Sequence, residues 1–258
     1  YKKQLCAVID ATIETVNTYE DYLAYINPQS MLSATYPSCL EKAKDALCGG
    51  GVTNGNVISF GFLGDFADSM AMIKKYVFDR KEFTLAELVK MLDANFRGYE
   101  LVRRKLLADS DKYGNNKDLP DSFVIDITDF LSKYVCNRAN AKKRGGKWTV
   151  GFHVARMSYV QGEKTAASPN GRLLGEELSK NASASMGQNR EGATAAILSV
   201  TKIDATAFTC DASLDMGLLP SAVKSDDGLE AMYGLLKTFV KRGGHAIHIN
   251  VFDADTLR

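Results

Sequence analysis

Residues 167–204 decide the fold of this chain, and they read ASPNGRLLGEELSKNASASMGQNREGATAAILSVTKID. Ser168-Pro-Asn-Gly-Arg172 has the composition of a tight turn, because proline presets one backbone angle and Asn-Gly tolerates positive φ. A loop of small residues follows from Lys180 to Gly187, and two interpretations are open: close approach of the backbone to neighbouring elements, or a flexible surface loop. An apolar run then extends from Gly192 to Val200. The turn motif is common by itself, so its meaning depends on the sequence around it.

The composition of the chain excludes several classes of protein. The chain has 258 residues, of which 45% are hydrophobic and 24% are charged, as in ordinary soluble globular proteins. With 32 basic and 31 acidic side chains the net charge is +1, so we expect neither nucleic acid nor membrane as a partner. No apolar run approaches the roughly 18 residues of a membrane span, and no signal peptide is visible. Five widely spaced cysteines favour a reducing cytoplasm over a disulfide framework, and Tyr1 in place of methionine indicates a fragment.

The hydrophobic pattern predicts a chain that is mainly helical over 1–141 and mixed over 142–258. In the first part, apolar spacing and capping boxes at Ser38–Glu41 and Thr84–Glu87 predict helices. In the second part, Trp148–Val154 and His245–Phe252 are β-prone, and a last helix covers Asp226–Lys241. We therefore expect one α/β unit over residues 1–258. The predicted helices cover 1–26, 38–49, 65–78 (with Phe66, Met70, Ile73 and Val77 inward), 84–95, 99–107 and 120–140.

Short motifs on both sides of residues 167–204 give the pattern its specificity. Upstream they include Gly49-Gly50-Gly51, Asp68-Ser69 and Lys112-Tyr-Gly-Asn115, and downstream they are Gly243-Gly244-His245, Asn250-Val251 and Asp255-Thr-Leu257. In this order and spacing the chain, from about Met31 onward, resembles the glycyl radical enzymes. That superfamily includes pyruvate formate-lyase, glycerol dehydratase, choline trimethylamine-lyase and hydroxyproline dehydratase.

The resemblance implies a fold and a chemistry. Glycyl radical enzymes form an α/β barrel of ten strands, in two five-stranded halves surrounded by helices, and we expect this chain to be part of one. A glycine near the C-terminus stores a radical and passes it to a cysteine, whose thiyl removes a hydrogen atom from a small-molecule substrate. A separate S-adenosylmethionine-dependent activating enzyme with an iron–sulfur cluster installs the radical. The resemblance therefore implies that activating enzyme as a partner, a homodimer, and no bound cofactor or metal.

Both catalytic loops of the family are expected outside this chain. The radical glycine would lie beyond Arg258 and the thiyl cysteine before Tyr1. Cys39-Leu-Glu41 imitates the cysteine loop, but Ser38 stands where the family has glycine, so Cys39 is interpreted as a partly buried helix cysteine without catalytic work. The same interpretation applies to the remaining cysteines, Cys6, Cys48, Cys136 and Cys210.

The resemblance favours a lyase or dehydratase that cleaves a C–O, C–N or C–C bond of a small polar substrate. The alternative within the class is pyruvate formate-lyase, a formate acetyltransferase, whose two adjacent cysteines would lie outside this chain. The alternative of another class is a truncated or orphan barrel protein that acts only as a structural partner.

One residue of the chain is a candidate for the substrate pocket. Counted back from Ser168-Pro169, His153 falls where the dehydratase branch has a substrate-facing strand residue, a tyrosine in glycerol dehydratase. An imidazole there could form a hydrogen bond to substrate or relay a proton. Equally, it could be satisfied by a strand neighbour. His245 and His248 point to opposite faces of one predicted strand, so we expect no metal shared between them.

Overall fold

The computed structural model describes residues 1–154, 156–253 and Thr256. The chain divides into two compact units. The first unit comprises Tyr1–Ile58, Phe130–Gly151 and Phe208–Cys210, and the second comprises Ser59–Asp129, Phe152–Ala207 and Asp211–Arg258. Asp255 and Leu257 of the downstream motif lie outside the described residues.

The first unit is built from short helices and a two-stranded sheet. Its core includes Ile9 and Ile13 of the N-terminal helix, together with Trp148 and Val150. The indole N–H of Trp148 donates to the side chain of Asn17 at 3.0 Å, which joins strand to helix. The elements are α1 (Lys2–Glu20), α2 (Leu23–Ile26), α3 (Ser30–Ser33), α4 (Pro37–Lys42), a 3-10 turn (Ala46–Cys48) and the paired strands β1 (Gly55–Ser59) and β2 (Lys147–Gly151).

Two helix predictions for the first unit are wrong in their bounds. The helix predicted over 1–26 is interrupted by a turn at Asp21–Tyr22. The helix predicted from Ser38 begins at Pro37, with no side-chain cap, and ends at Lys42, before Ala43, whose φ is 49°. Proline fits the first helical position because its missing N–H would be unpaired there anyway, so the capping-box spacing at Ser38–Glu41 is coincidental.

The second unit contains the remaining helices and a parallel strand pair. The capping box predicted at Thr84 is present, with reciprocal hydrogen bonds between Thr84 and Glu87. The long helix predicted over 120–140 begins and ends earlier, and the apolar run after the small-residue loop is a helix. The elements are α5 (Leu63–Met72), continued by a π-helical segment (Ile73–Asp79), α6 (Leu85–Asp93), α7 (Glu100–Ala108), α8 (Asp118–Val135, of which residues 118–129 belong to this unit), α9 (Met157–Gly162), α10 (Gly192–Val200), β3 (Ser213–Leu218), α11 (Asp226–Lys241) and β4 (Ala246–Val251).

The buried face of α5 differs from the predicted one. Phe66, Met70, Ile73 and Val77 were expected inward, but all four are only half-buried. The fully buried face carries Leu63, Ala67, Ala71 and Met72, and it also carries the acidic side chains of Asp65 and Asp68. Apolar spacing selected the wrong face because it counts carboxylates as solvent-facing, whereas these two are buried and hydrogen-bonded.

The parallel pairing of β3 and β4 fixes which side chains meet. Asp215 of β3 lies opposite His248 of β4, and the pairing runs from Ser213–Ala246 to Leu218–Val251. Helix α11 forms the crossover that a parallel connection requires. Within the described part of the chain, no helix is both long and apolar enough to cross a membrane.

Candidate functional site

A polar cleft of about 420 Å³ opens in the second unit at the β3–β4 pair. Two imidazoles, His153 and His248, face it from the sheet side. Residues of α9 and of the small-residue loop form the remaining walls. The lining consists of His153, Arg156, Ser158, Tyr159, Glu177, Lys180, Asn181, Asp215 and His248.

His153 is held at the sheet by a hydrogen-bonded chain. Phe152 bridges to Ala212 in parallel, which places His153 beside the start of β3. Its Nδ1 lies 3.2 Å from Ser213 Oγ and 3.4 Å from an Asp211 carboxylate oxygen. The Ser213 hydroxyl donates to the same Asp211 oxygen. The contacts with Ser213 and Asp211 fit a histidine whose hydrogen bonds are satisfied by strand neighbours, whereas the position in the cleft fits a substrate-binding residue. The role of His153 in substrate binding therefore stays a prediction.

His248 is a cleft residue that sequence reasoning missed. Its Nδ1 lies 3.2 Å from Asp215 Oδ1, and its ring centroid lies 6.0 Å from that of His153, with the rings almost perpendicular. The sequence pattern compared His248 with His245, which instead lines a separate small cavity beside Phe239. His153, whose ring lies beside that of His248, comes from a segment almost 100 residues earlier, and no local pattern in the sequence brings the two together.

The small-residue loop positions Asp215. Asn181 Nδ2 donates to Asp215 Oδ2 at 2.5 Å, and the Asp215 backbone N–H donates to Ser183 Oγ at 2.8 Å. Asn181 Oδ1 in turn accepts from the backbone N–H of Val154 at 2.8 Å. One asparagine therefore ties the segment after His153 to the carboxylate that holds His248.

The two buried carboxylates of α5 anchor the same loop and the residues that precede it. Asp65 accepts from Asn170 Nδ2 and from the backbone N–H of Ser179, both at 2.6 Å. Asp68 accepts from the backbone N–H of Tyr113 and from Ser185 Oγ, both at 2.7 Å. The Asn170 side chain belongs to the predicted turn, whose Gly171 has a φ of 100° and donates to the Ser168 carbonyl. The turn prediction is confirmed, and its asparagine also connects the turn to α5.

Burial changes the proton affinity of this network. Asp68 is fully buried, and desolvation raises its pKa to about 6 in spite of its hydrogen bonds. Burial also lowers the pKa of Lys112, whose ammonium donates to the Asn170 carbonyl at 3.2 Å. Two opposite charges are thus held in the interior beside the loop.

The arginine of the turn motif is a structural clamp. Arg172 is only 5% exposed. Its NH1 donates to the carbonyls of Leu173 and Glu176 at 2.8 Å, and its NH2 donates to those of Thr165 and Ala166. Four backbone acceptors from both sides of the turn therefore depend on one guanidinium.

The cysteines stand apart from the cleft. Cys39 lies in α4 and is 3% exposed, more deeply buried than expected, and all five cysteines are free thiols. None of them lines the cleft. Among the residues that the structure describes, no group of three or more His, Cys, Asp or Glu side chains could hold a metal ion.

Comparison with known proteins confirms the resemblance to the glycyl radical enzymes. The Pyruvate formate lyase-like family matches residues 1–162, and the Glycine radical family matches residues 178–258. Trans-4-hydroxy-L-proline dehydratase of Clostridioides difficile is 35% identical over 100% of this chain and 32% of its own length. Isethionate sulfite-lyase of Desulfovibrio desulfuricans is 34% identical over 76% of this chain and 24% of its own length.

A solved structure shares the backbone. The protein described for 1,2-propanediol dehydration in Roseburia inulinivorans superposes with a TM-score of 0.92 at 27% identity, covering 100% of this chain and 33% of that one. The chain belongs to the glycyl radical enzymes of the pyruvate formate lyase-like family. It spans about a third or less of the length of the relatives it matches.

Proposed function

We propose that this chain is part of a glycyl radical lyase or dehydratase that cleaves a C–O, C–N or C–C bond of a small polar substrate through a thiyl radical. The observation that carries the proposal is the polar cleft of the second unit, which presents two imidazoles in a fold whose relatives are dehydratases and a sulfite-lyase. The cleft volume suits a small molecule and its lining is hydrogen-bonding throughout.

The finer features of the family are part of the same proposal. The chain contributes to a ten-stranded barrel in one pyruvate formate-lyase-type domain, as a homodimer. The radical glycine and the thiyl cysteine lie on residues outside this chain, and a radical S-adenosylmethionine activating enzyme installs the radical. The match to the Glycine radical family over residues 178–258 supports the glycyl radical chemistry of this proposal.

The experiment that tests the proposal is electron paramagnetic resonance of the complete polypeptide that carries this chain. After anaerobic activation we expect a glycine-centred doublet, because the stored radical is the defining chemistry of the class. A sample with active activating enzyme and S-adenosylmethionine turnover but no doublet would refute the assignment.

His153 is proposed to contact the substrate. We expect His153→Ala to lower kcat/KM by about tenfold or more, since a buried polar contact to substrate contributes on the order of 1–3 kcal/mol. Activity should be measured together with the melting temperature, which should stay nearly constant because the side chain is partly exposed. His245→Ala, outside the cleft, is the matched control. Equal kinetics for the two variants would remove His153 from the site.

A further inference from the structure

We infer that His153 and His248 form a paired acceptor site that selects substrates with two hydrogen-bond donors. This inference rests on the proposed function and adds a specificity to it. It concerns His248 and its partner Asp215 as much as His153. The hydrogen bonds of the two rings determine which ring nitrogen carries the hydrogen in each.

The Nδ1 atoms of both rings carry hydrogen in the neutral form. At His248 the partner is the Asp215 carboxylate, which can only accept, so Nδ1 donates. At His153 the nearer partner is Ser213 Oγ, whose single hydrogen goes to Asp211, so that oxygen accepts from Nδ1. A neutral imidazole with hydrogen on Nδ1 has a lone pair on Nε2.

Neither Nε2 atom has a hydrogen-bond partner among the described residues, and both rings line the cleft. The Nδ1 atoms are occupied at the sheet, so the Nε2 atoms are the ring atoms left for a ligand. With centroids 6.0 Å apart, one small molecule can lie against both rings. Acceptors on two rings whose centroids are this close suit a molecule with two donors a few ångströms apart, such as a vicinal diol or an amino alcohol.

Asp215 is a positioning residue in this arrangement. It acts through His248, because its carboxylate fixes the proton on Nδ1 and Asn181 fixes the carboxylate. Its own Oδ atoms are occupied by these two contacts.

The inference is tested with three probes on the anaerobically activated complete enzyme. Propane-1,2-diol and trans-4-hydroxy-L-proline each carry two donors, whereas isethionate carries one. We expect consumption of at least one two-donor probe and none of isethionate. The inference would be overturned if the enzyme consumed isethionate, or if it consumed none of the three probes.

Two variants of His248 then isolate the acceptor atom. His248→Phe keeps a ring but removes the acceptor, and we expect KM for the two-donor probe to rise roughly tenfold, as the loss of one hydrogen bond implies. In His248→Gln the side-chain oxygen can reach the position of Nε2, so KM should return to within about threefold of the original. Both variants remove the imidazole contact to Asp215, so a difference between them reports the acceptor.

The glycyl radical signal distinguishes a failure of the proposed function from a failure of the two-acceptor inference. A wild-type signal with equal KM in both variants and the wild type overturns the two-acceptor inference alone. Absence of the signal in the wild type overturns the proposed function and this inference with it.

Discussion

Arg172→Met is expected to lower the free energy of unfolding by about 3–5 kcal/mol, because it leaves four part-buried carbonyls without their donor. The methionine side chain fills much of the same volume, so the loss reports the hydrogen bonds more than a cavity. Four carbonyls, from Thr165 to Glu176, depend on this guanidinium. Thermal unfolding gives the global effect, and hydrogen exchange of the amides over 165–176 gives the local one.

The matched control is Arg104→Met on the exposed face of α7. A surface change of this kind is expected to shift stability by no more than about 0.5 kcal/mol. If both variants melted at the same temperature and kept the same exchange rates, the clamp would be energetically unimportant.

The wild type is expected to lose stability as the pH rises from about 4 to 6, and Asp68→Asn is expected to remove this loss. The pKa of Asp68 is raised from 3.8 to about 6 in the folded protein by burial. The unfolded chain therefore loses its proton first as pH rises, and the folded state becomes less favourable until its own carboxyl ionises. A pKa difference of about two units between the folded and unfolded states corresponds to a destabilisation of roughly 3 kcal/mol. This destabilisation is fully present above about pH 6 and absent below about pH 4.

The asparagine keeps the geometry of the site. Its carbonyl oxygen can accept from the Tyr113 N–H, and its amide can donate to Ser185 Oγ in place of accepting from it. Urea unfolding from pH 4 to pH 7 measures the difference between wild type and variant, with the exposed Asp93→Asn as control. Parallel curves for wild type and Asp68→Asn would show that Asp68 ionises normally.

Local signals in the sequence predicted local structure well. The helix of residues 226–241, the capping box at Thr84 and the turn at Ser168–Arg172 are all present. Each of these features depends on residues that are close together in the sequence, so short-range interactions are sufficient to predict it. The prediction of a capping box at Ser38 is wrong because a competing local signal decides the helix start: the adjacent Pro37 has the stronger preference for the first helical position.

The site was harder to predict because its contacts are distant in sequence. The resemblance to a family made His153 a candidate, but no periodicity could place His248 beside it. The roles of Asp65 and Asp68 were hidden for a different reason. Acidic side chains on a helix normally face water, and only their partners, such as Asn170 and Ser185, show that they face inward.

The strand register at Asp215 and His248 has an evolutionary consequence. The two residues are opposite each other because the backbones of β3 and β4 pair, so their identities can change without moving either strand. A relative with a TM-score of 0.92 retains the backbone at 27% identity. Under the proposed function, point substitutions at positions 215 and 248 would therefore change the substrate preference of the cleft on an unchanged strand pair, without insertion or deletion.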